Sequence, residues 1–130
     1  MTRILIIEDN LLNMELATDL LEANDFTVYQ ATTAGEGIRL AQNFLPDLIL
    51  LDFGLPDMHG LQAAQILKNC DATTRVPVIA LTAHAMKGDE KIALSKGCNG
   101  YLTKPINTRT FVATILQFLA DTNISLKDSK

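Results

Sequence analysis

The sequence predicts an α/β domain in which five parallel strands, in the order 2-1-3-4-5, form a doubly wound sheet with helices on both faces. Three observations predict it. Strand-like and helix-like patterns alternate from end to end of the chain. The run at 48–51, Leu-Ile-Leu-Leu, lacks the polar alternation of a half-solvated strand, so both its faces need cover. Four short apolar runs end on polar residues, as expected where an open parallel sheet gathers a ligand site along its carboxyl edge.

The first strand, 4–7, runs into Glu8, Asp9 and Asn10. A helix follows in which Leu12, Leu16 and Leu20 recur at i, i+4 and i+8, with Met14, Ala17 and Leu21 beside them. Residues 26–30 read as the second strand. The next helix carries Ile38, Ala41 and Leu45 at i, i+3 and i+7 and stops at Pro46, because proline disfavours helical backbone in the residue before it. The third strand, 48–51, ends on Asp52. Pro56 and Gly60 punctuate a loop, and a helix over about 61–70 comes next. Pro77 opens the fourth strand, 78–81, which ends on Thr82. A more polar helix is expected over about 89–96, then a fifth strand over about 100–103, followed by Lys104 and Pro105. In the last helix Phe111, Ile115, Phe118 and Leu119 sit at i, i+4, i+7 and i+8 and face a core. Past Ala120 the chain turns polar, so the domain is set at 1–121 and a fraying tail at 122–130.

Composition narrows the function classes. With 130 residues, 48% hydrophobic and 20% charged, the chain has the size and balance of one globular domain. No apolar run approaches the roughly 20 residues that cross a bilayer, and the N-terminus lacks a signal-peptide pattern, so a cytoplasmic protein without a membrane partner is expected. A formal charge of −4 argues against sequence-independent nucleic-acid binding, which needs a basic face. Cys70 and Cys98 fit no metal spacing and are expected as free thiols.

The strand order makes strands 1 and 3 neighbours, so Asp9 and Asp52 are expected to face each other with Glu8 beside them. Grouped carboxylates repel, which raises a pKa or recruits a cation. A hard divalent ion, Mg²⁺ or Mn²⁺, suits an all-oxygen set. Asp9 and Asp52 are expected to ligate directly, Glu8 mainly through water, with the backbone carbonyl of Gly54 completing the set. Helix capping explains one acid near a helix start, but not a third acid arriving from another strand. Asp52 is the expected nucleophile, since an aspartate can attack phosphorus and form an acyl phosphate. Lys104 offers a point charge to the phosphoryl oxygens, the Thr82 hydroxyl a neutral donor, and small Ala83 leaves room beside it with its backbone within reach.

The motifs Glu8-Asp9-Asn10, the loop from Asp52 to Gly60, Thr82-Ala83 and Lys104-Pro105 resemble a receiver domain of the two-component response-regulator family, over about 2–120 of the chain. The resemblance implies a flavodoxin-like (βα)5 fold and Asp52 as phosphoacceptor, served by a histidine kinase or histidine phosphotransfer protein. It also implies Glu8 and Asp9 as the metal pair and a cis bond between Lys104 and Pro105. Stretches 8–14, 82–90 and 97–106 resemble stand-alone regulators of bacterial cell polarity and division. They equally resemble receiver modules of hybrid kinases, which act as phosphate shuttles or sinks. Tyr101, three residues before Lys104, matches the family's aromatic switch position and is expected to work with Thr82. The implied output is protein–protein interaction on the face made by the 89–96 helix, the fifth strand and the last helix, from a monomer or weak dimer that contacts no nucleic acid directly. The implied chemistry stops at self-phosphorylation and autodephosphorylation, so the chain is not expected to be an enzyme.

Gly54 and His84 flank the path of an attacking water, which leaves the phosphoryl lifetime open. His59 and His84 on separate loops, without a third ligand, read as plain loop residues rather than a transition-metal site. Other classes fit less well. A flavodoxin-type cofactor protein needs a Gly/Ser/Thr-rich loop where this chain has acids that repel phosphate. Asp52-Phe53-Gly54 lacks the second acid that haloacid-dehalogenase-like phosphatases carry two residues after their nucleophile.

Overall fold

The structure, a computed structural model, describes residues 2–82, 94 and 97–128, with side chains of 122–128 excepted. Ala83, His84, residues 87–91 and, apart from Leu94, the helix expected over 89–96 lie outside the described residues. The elements are β1 (Arg3–Ile7), α1 (Leu11–Glu22), β2 (Thr27–Ala31), α2 (Ala34–Phe44), β3 (Leu48–Asp52), α3 (Gly60–Asn69), β4 (Val78–Thr82), β5 (Gly100–Thr103) and α4 (Phe111–Asp128). All strand pairs are parallel and the order is β2-β1-β3-β4-β5, as the sequence predicts.

Strand alternation divides the core into two layers. Leu5 and Ile7 face α2 and α3 with Ile49, Leu51, Ala63, Leu67 and Ala80. Ile4 and Ile6 face α1 and α4 with Leu48, Leu50, Ile79, Phe111 and Ile115. β3 and β4 are buried along their whole length, which is why neither shows polar alternation. Among the described residues, no helix is long and apolar enough to cross a membrane.

Two expectations need correction. In α1 the buried stripe is Met14, Ala17 and Leu21, whereas Leu12 is 77% and Leu16 37% exposed. Helix phase is set at the entry: the Asn10 side chain accepts the Asn13 amide, and Asn13 Nδ2 donates to Glu8 Oε1 at 2.8 Å. That contact and the packing of Met14, Ala17 and Leu21 both place the Asn13 side toward the sheet and leave Leu12 and Leu16 outward. Leu45, expected in the core, is exposed. It ends α2 in the left-handed region (φ 46°) immediately before Pro46, which excludes a further helical turn. α4 is drawn to Asp128. No glycine or proline interrupts 111–130, and Gln117 bonds Asp121 one turn on.

The turn into α3 depends on close packing. A Cβ at Gly60 would lie 2.2 Å from Phe53 Cδ1 and 2.7 Å from Phe53 Cα, so the backbone itself would have to shift. Gly60→Ala should lower unfolding free energy by about 2 kcal/mol, the ordinary cost of overpacking, as read by urea denaturation. An unchanged denaturation midpoint would show that the Gly60–Phe53 contact is not tight in solution.

Candidate phosphoacceptor site

Register brings the acids together. Ile7 pairs with Leu51, so Glu8 and Asp52 leave neighbouring strands side by side. The carboxylates of Glu8, Asp9 and Asp52 each offer an oxygen, and these oxygens lie within 4.8 Å of one another. Glu8 and Asp52 are buried while Asp9 is exposed, which leaves the cluster open on one side. An all-oxygen set of this kind suits a hard divalent cation.

Lys104 arrives from the far side of the sheet. Its backbone amide still bonds the Thr82 carbonyl at 2.8 Å, so it leaves β5 in step with β4. The Lys104–Pro105 bond is cis, as the resemblance implies. The ammonium lies 2.8 Å from Glu8 Oε1, 3.0 Å from Glu8 Oε2 and 3.1 Å from Asp52 Oδ1. The sequence assigns this charge to phosphoryl oxygens; in the resting site it bridges the two buried acids.

Electrostatics separate the pair. Burial pushes the Glu8 carboxyl from 4.5 up to about 7, and sharing a hydrogen bond with Asp52 adds to the rise, against the lowering pull of Lys104 and Asn13. For Asp52, burial also acts upward, but the hydrogen bond from Glu8, the Gly54 amide (3.0 Å from Oδ1) and Lys104 together hold it below its ordinary value. Lys104 loses stabilisation by burial, yet its two carboxylate partners raise it overall. The pair is therefore biased toward an ionised Asp52, with the proton on Glu8 at pH values below about 7. An anionic carboxylate on a fixed strand end is the form a nucleophile requires.

The other predicted residues are placed as follows. Thr82 ends β4, one strand from Asp52, and is buried. Gly54 is exposed, and a Cβ there would sit in ordinary contact, 3.7 Å from Asp52 Oδ1, so a side chain at this position would start beside the carboxylate. Tyr101 is half-buried on β5 beside Ala80 and packs on the α2/α3 core layer. His59 is no part of the acidic cluster. Its Nδ1 accepts the Leu61 amide at 3.1 Å and caps α3, with its ring tilted against Phe53. Asn13, to which the sequence assigns no role, holds Glu8. Its signal was its place three residues after the capping Asn10, on the turn that looks back at the strand ends.

Comparison with known proteins agrees with this geometry. Residues 4–116 match the family model described as the response regulator receiver domain. The chain is 43% identical over 118 residues to the polar-differentiation response regulator DivK of Brucella anthropi, covering 91% of this chain and 96% of that protein. A CheY-like receiver domain protein from Methanospirillum hungatei superposes with a TM-score of 0.88 at 28% identity, over 96% of this chain and 98% of its own. The receiver domain of a sensor histidine kinase from Pseudomonas aeruginosa, described with a magnesium ion coordinated in its active-site cleft, does so with a TM-score of 0.84 at 30% identity. That match covers 92% of this chain and 98% of the other. With its sheet order, its acidic strand ends and this coverage, the chain belongs to the response regulator receiver domain family, the phosphoacceptor modules of two-component signalling.

Proposed function

We propose that Asp52 accepts a phosphoryl group from the phosphohistidine of a histidine kinase or histidine phosphotransfer protein, and that the modified domain, residues 1–121, signals by binding another protein. The observation that carries this reading is the buried Asp52 carboxylate set between an acidic cluster and Lys104, whose contacts favour its anion. In the transfer, an Asp52 oxygen bonds to phosphorus as the phosphorus–nitrogen bond of the donor breaks, its electron pair returning to the imidazole. Glu8, Asp9, Asp52 and the Gly54 carbonyl would hold Mg²⁺ or Mn²⁺, which when bound neutralises charge on the phosphoryl oxygens. Lys104, the Thr82 hydroxyl and the Ala83 backbone take the remaining oxygens. A bound cation would favour the Glu8 carboxylate over its acid, and Lys104 would exchange a carboxylate partner for the phosphoryl group.

Thr82 and Tyr101 form the switch: the hydroxyl moves toward the phosphoryl group and the half-buried phenol turns into the space behind it. Output goes to the face of β5 and α4, together with the helix that the sequence predicts over 89–96. The kinship with DivK, 96% of which is covered, supports a regulator acting on its own rather than a hybrid-kinase relay module, and we place it in the cytoplasm. Self-phosphorylation from small acyl phosphates and autodephosphorylation complete the chemistry.

Incubation with a histidine-phosphorylated phosphotransfer protein and Mg²⁺ should move the label onto this chain, and chelation by EDTA should stop it. Transfer that proceeds at an equal rate in EDTA would contradict the metal assignment.

A further inference from the structure

Asp57 joins two parts of the molecule that lie far apart in sequence. It sits in the 53–59 loop, which begins directly after Asp52, and its carboxylate oxygens accept the backbone amides of Ala34 (2.9 Å) and Gly35 (3.0 Å). These are the first residues of α2, and such amides have no partner within their own helix. The local cap of α2, Thr33, serves Glu36 with its hydroxyl and Gly37 with its carbonyl. The other two donors are met from 23 and 22 residues away. A cap needed for the helix alone could come from a neighbouring residue; one drawn from the acceptor loop restrains that loop as well.

The loop is tied at both ends. At its start the Gly54 amide donates to Asp52 Oδ1, and at its end the Gly60 amide donates to the Phe53 carbonyl while His59 caps α3. Leu55 is buried, and Asp57 supplies the polar anchor between those ends. The two amides also hold its carboxyl below the usual range, so it stays anionic opposite the positive end of the helix.

We propose that Asp57 is a positioning residue for the phosphoacceptor site: bracing the loop against α2, it keeps the Gly54 backbone registered on Asp52 for the cation. This rests on the assignment of the acidic cluster and the Gly54 carbonyl to a divalent ion. Coupling of this kind is reciprocal, so the cation should in turn protect the Ala34 and Gly35 amides.

Calorimetric Mg²⁺ titration of the full chain, with no phosphodonor present, tests it. Asp57→Ala should weaken Mg²⁺ binding by about tenfold, the usual loss when a residue supporting a metal ligand is removed. Asp57→Asn, which keeps one acceptor oxygen, should fall between and guards against an unfolded alanine variant. Thr33→Ala removes another cap from the same helix and should lower the melting temperature with the Mg²⁺ Kd unchanged. Amide exchange at Ala34 and Gly35 should slow on adding Mg²⁺ to the wild type. If the Asp57 variants lose melting temperature as Thr33→Ala does but keep the wild-type Kd, the brace is overturned while the cation site stands. If the wild type shows no saturable Mg²⁺ binding, the cation assignment falls and the brace with it.

Discussion

Asp52→Asn is expected to bring phosphoryl incorporation from acetyl phosphate or a phosphohistidine donor down to background while leaving the protein folded. The amide has no anionic oxygen with which to attack phosphorus, and no other group replaces it at the end of β3. Loss by unfolding is not expected, because the substitution removes a negative neighbour from Glu8. Glu8 can then ionise more readily and keep Lys104, 2.8 Å from its Oε1, to itself. The melting temperature at neutral pH without Mg²⁺ should therefore hold or rise. Phosphate-affinity gels beside a thermal melt read both effects. Labelling that persists in the variant, or a collapse of the fold, would contradict this reading of the pair.

The second large effect is in pH. Glu8 keeps its proton in the folded state up to about 7, against an ordinary 4.5, so between those values the native state binds more protons than the unfolded chain. Stability therefore falls as pH rises through that window, by roughly 1.4 kcal/mol for each pH step of about one and on the order of 3 kcal/mol in all. Asp52 is displaced the other way. Its contribution is present above its ordinary 3.8 and is lost as pH falls below that, outside the window. Mg²⁺ should offset the loss, since binding to the native state alone adds about 2.7 kcal/mol at a hundredfold excess over Kd. Urea unfolding from acid to mildly alkaline pH should show the decline in wild type, its relief by Mg²⁺, and a flatter curve in Glu8→Gln. An equal decline in Glu8→Gln would place its origin elsewhere.

The pattern of legibility follows from what each signal encodes. Strand order was readable because uninterrupted apolar runs such as 48–51 and 78–81 demand two covered faces, and alternation with helices leaves few topologies. The acids and Lys104 were readable because chain direction alone sends every parallel strand end to one edge. Helix orientation was less readable. Leu12 and Leu16 continue a stripe as regular as Met14, Ala17 and Leu21, and which of them is buried depends on tertiary contacts, the core packing of α1 and the Asn13–Glu8 hydrogen bond among them. The partners of Asp57 were beyond reach for the same reason: an acid in a loop carries no mark of a helix end 23 residues earlier. Periodicity also predicted the burial of Leu45, which the left-handed end of α2 turns outward.

The central claim is that Asp52 carries the phosphoryl group, and trapping of the acyl phosphate tests it most directly. Protein phosphorylated with Mg²⁺ and then reduced with borohydride should yield one altered peptide, with homoserine in place of Asp52 and stoichiometry matching the label incorporated. Label that maps instead to Asp9, His59 or any other residue, with Asp52 unmodified, would contradict the account.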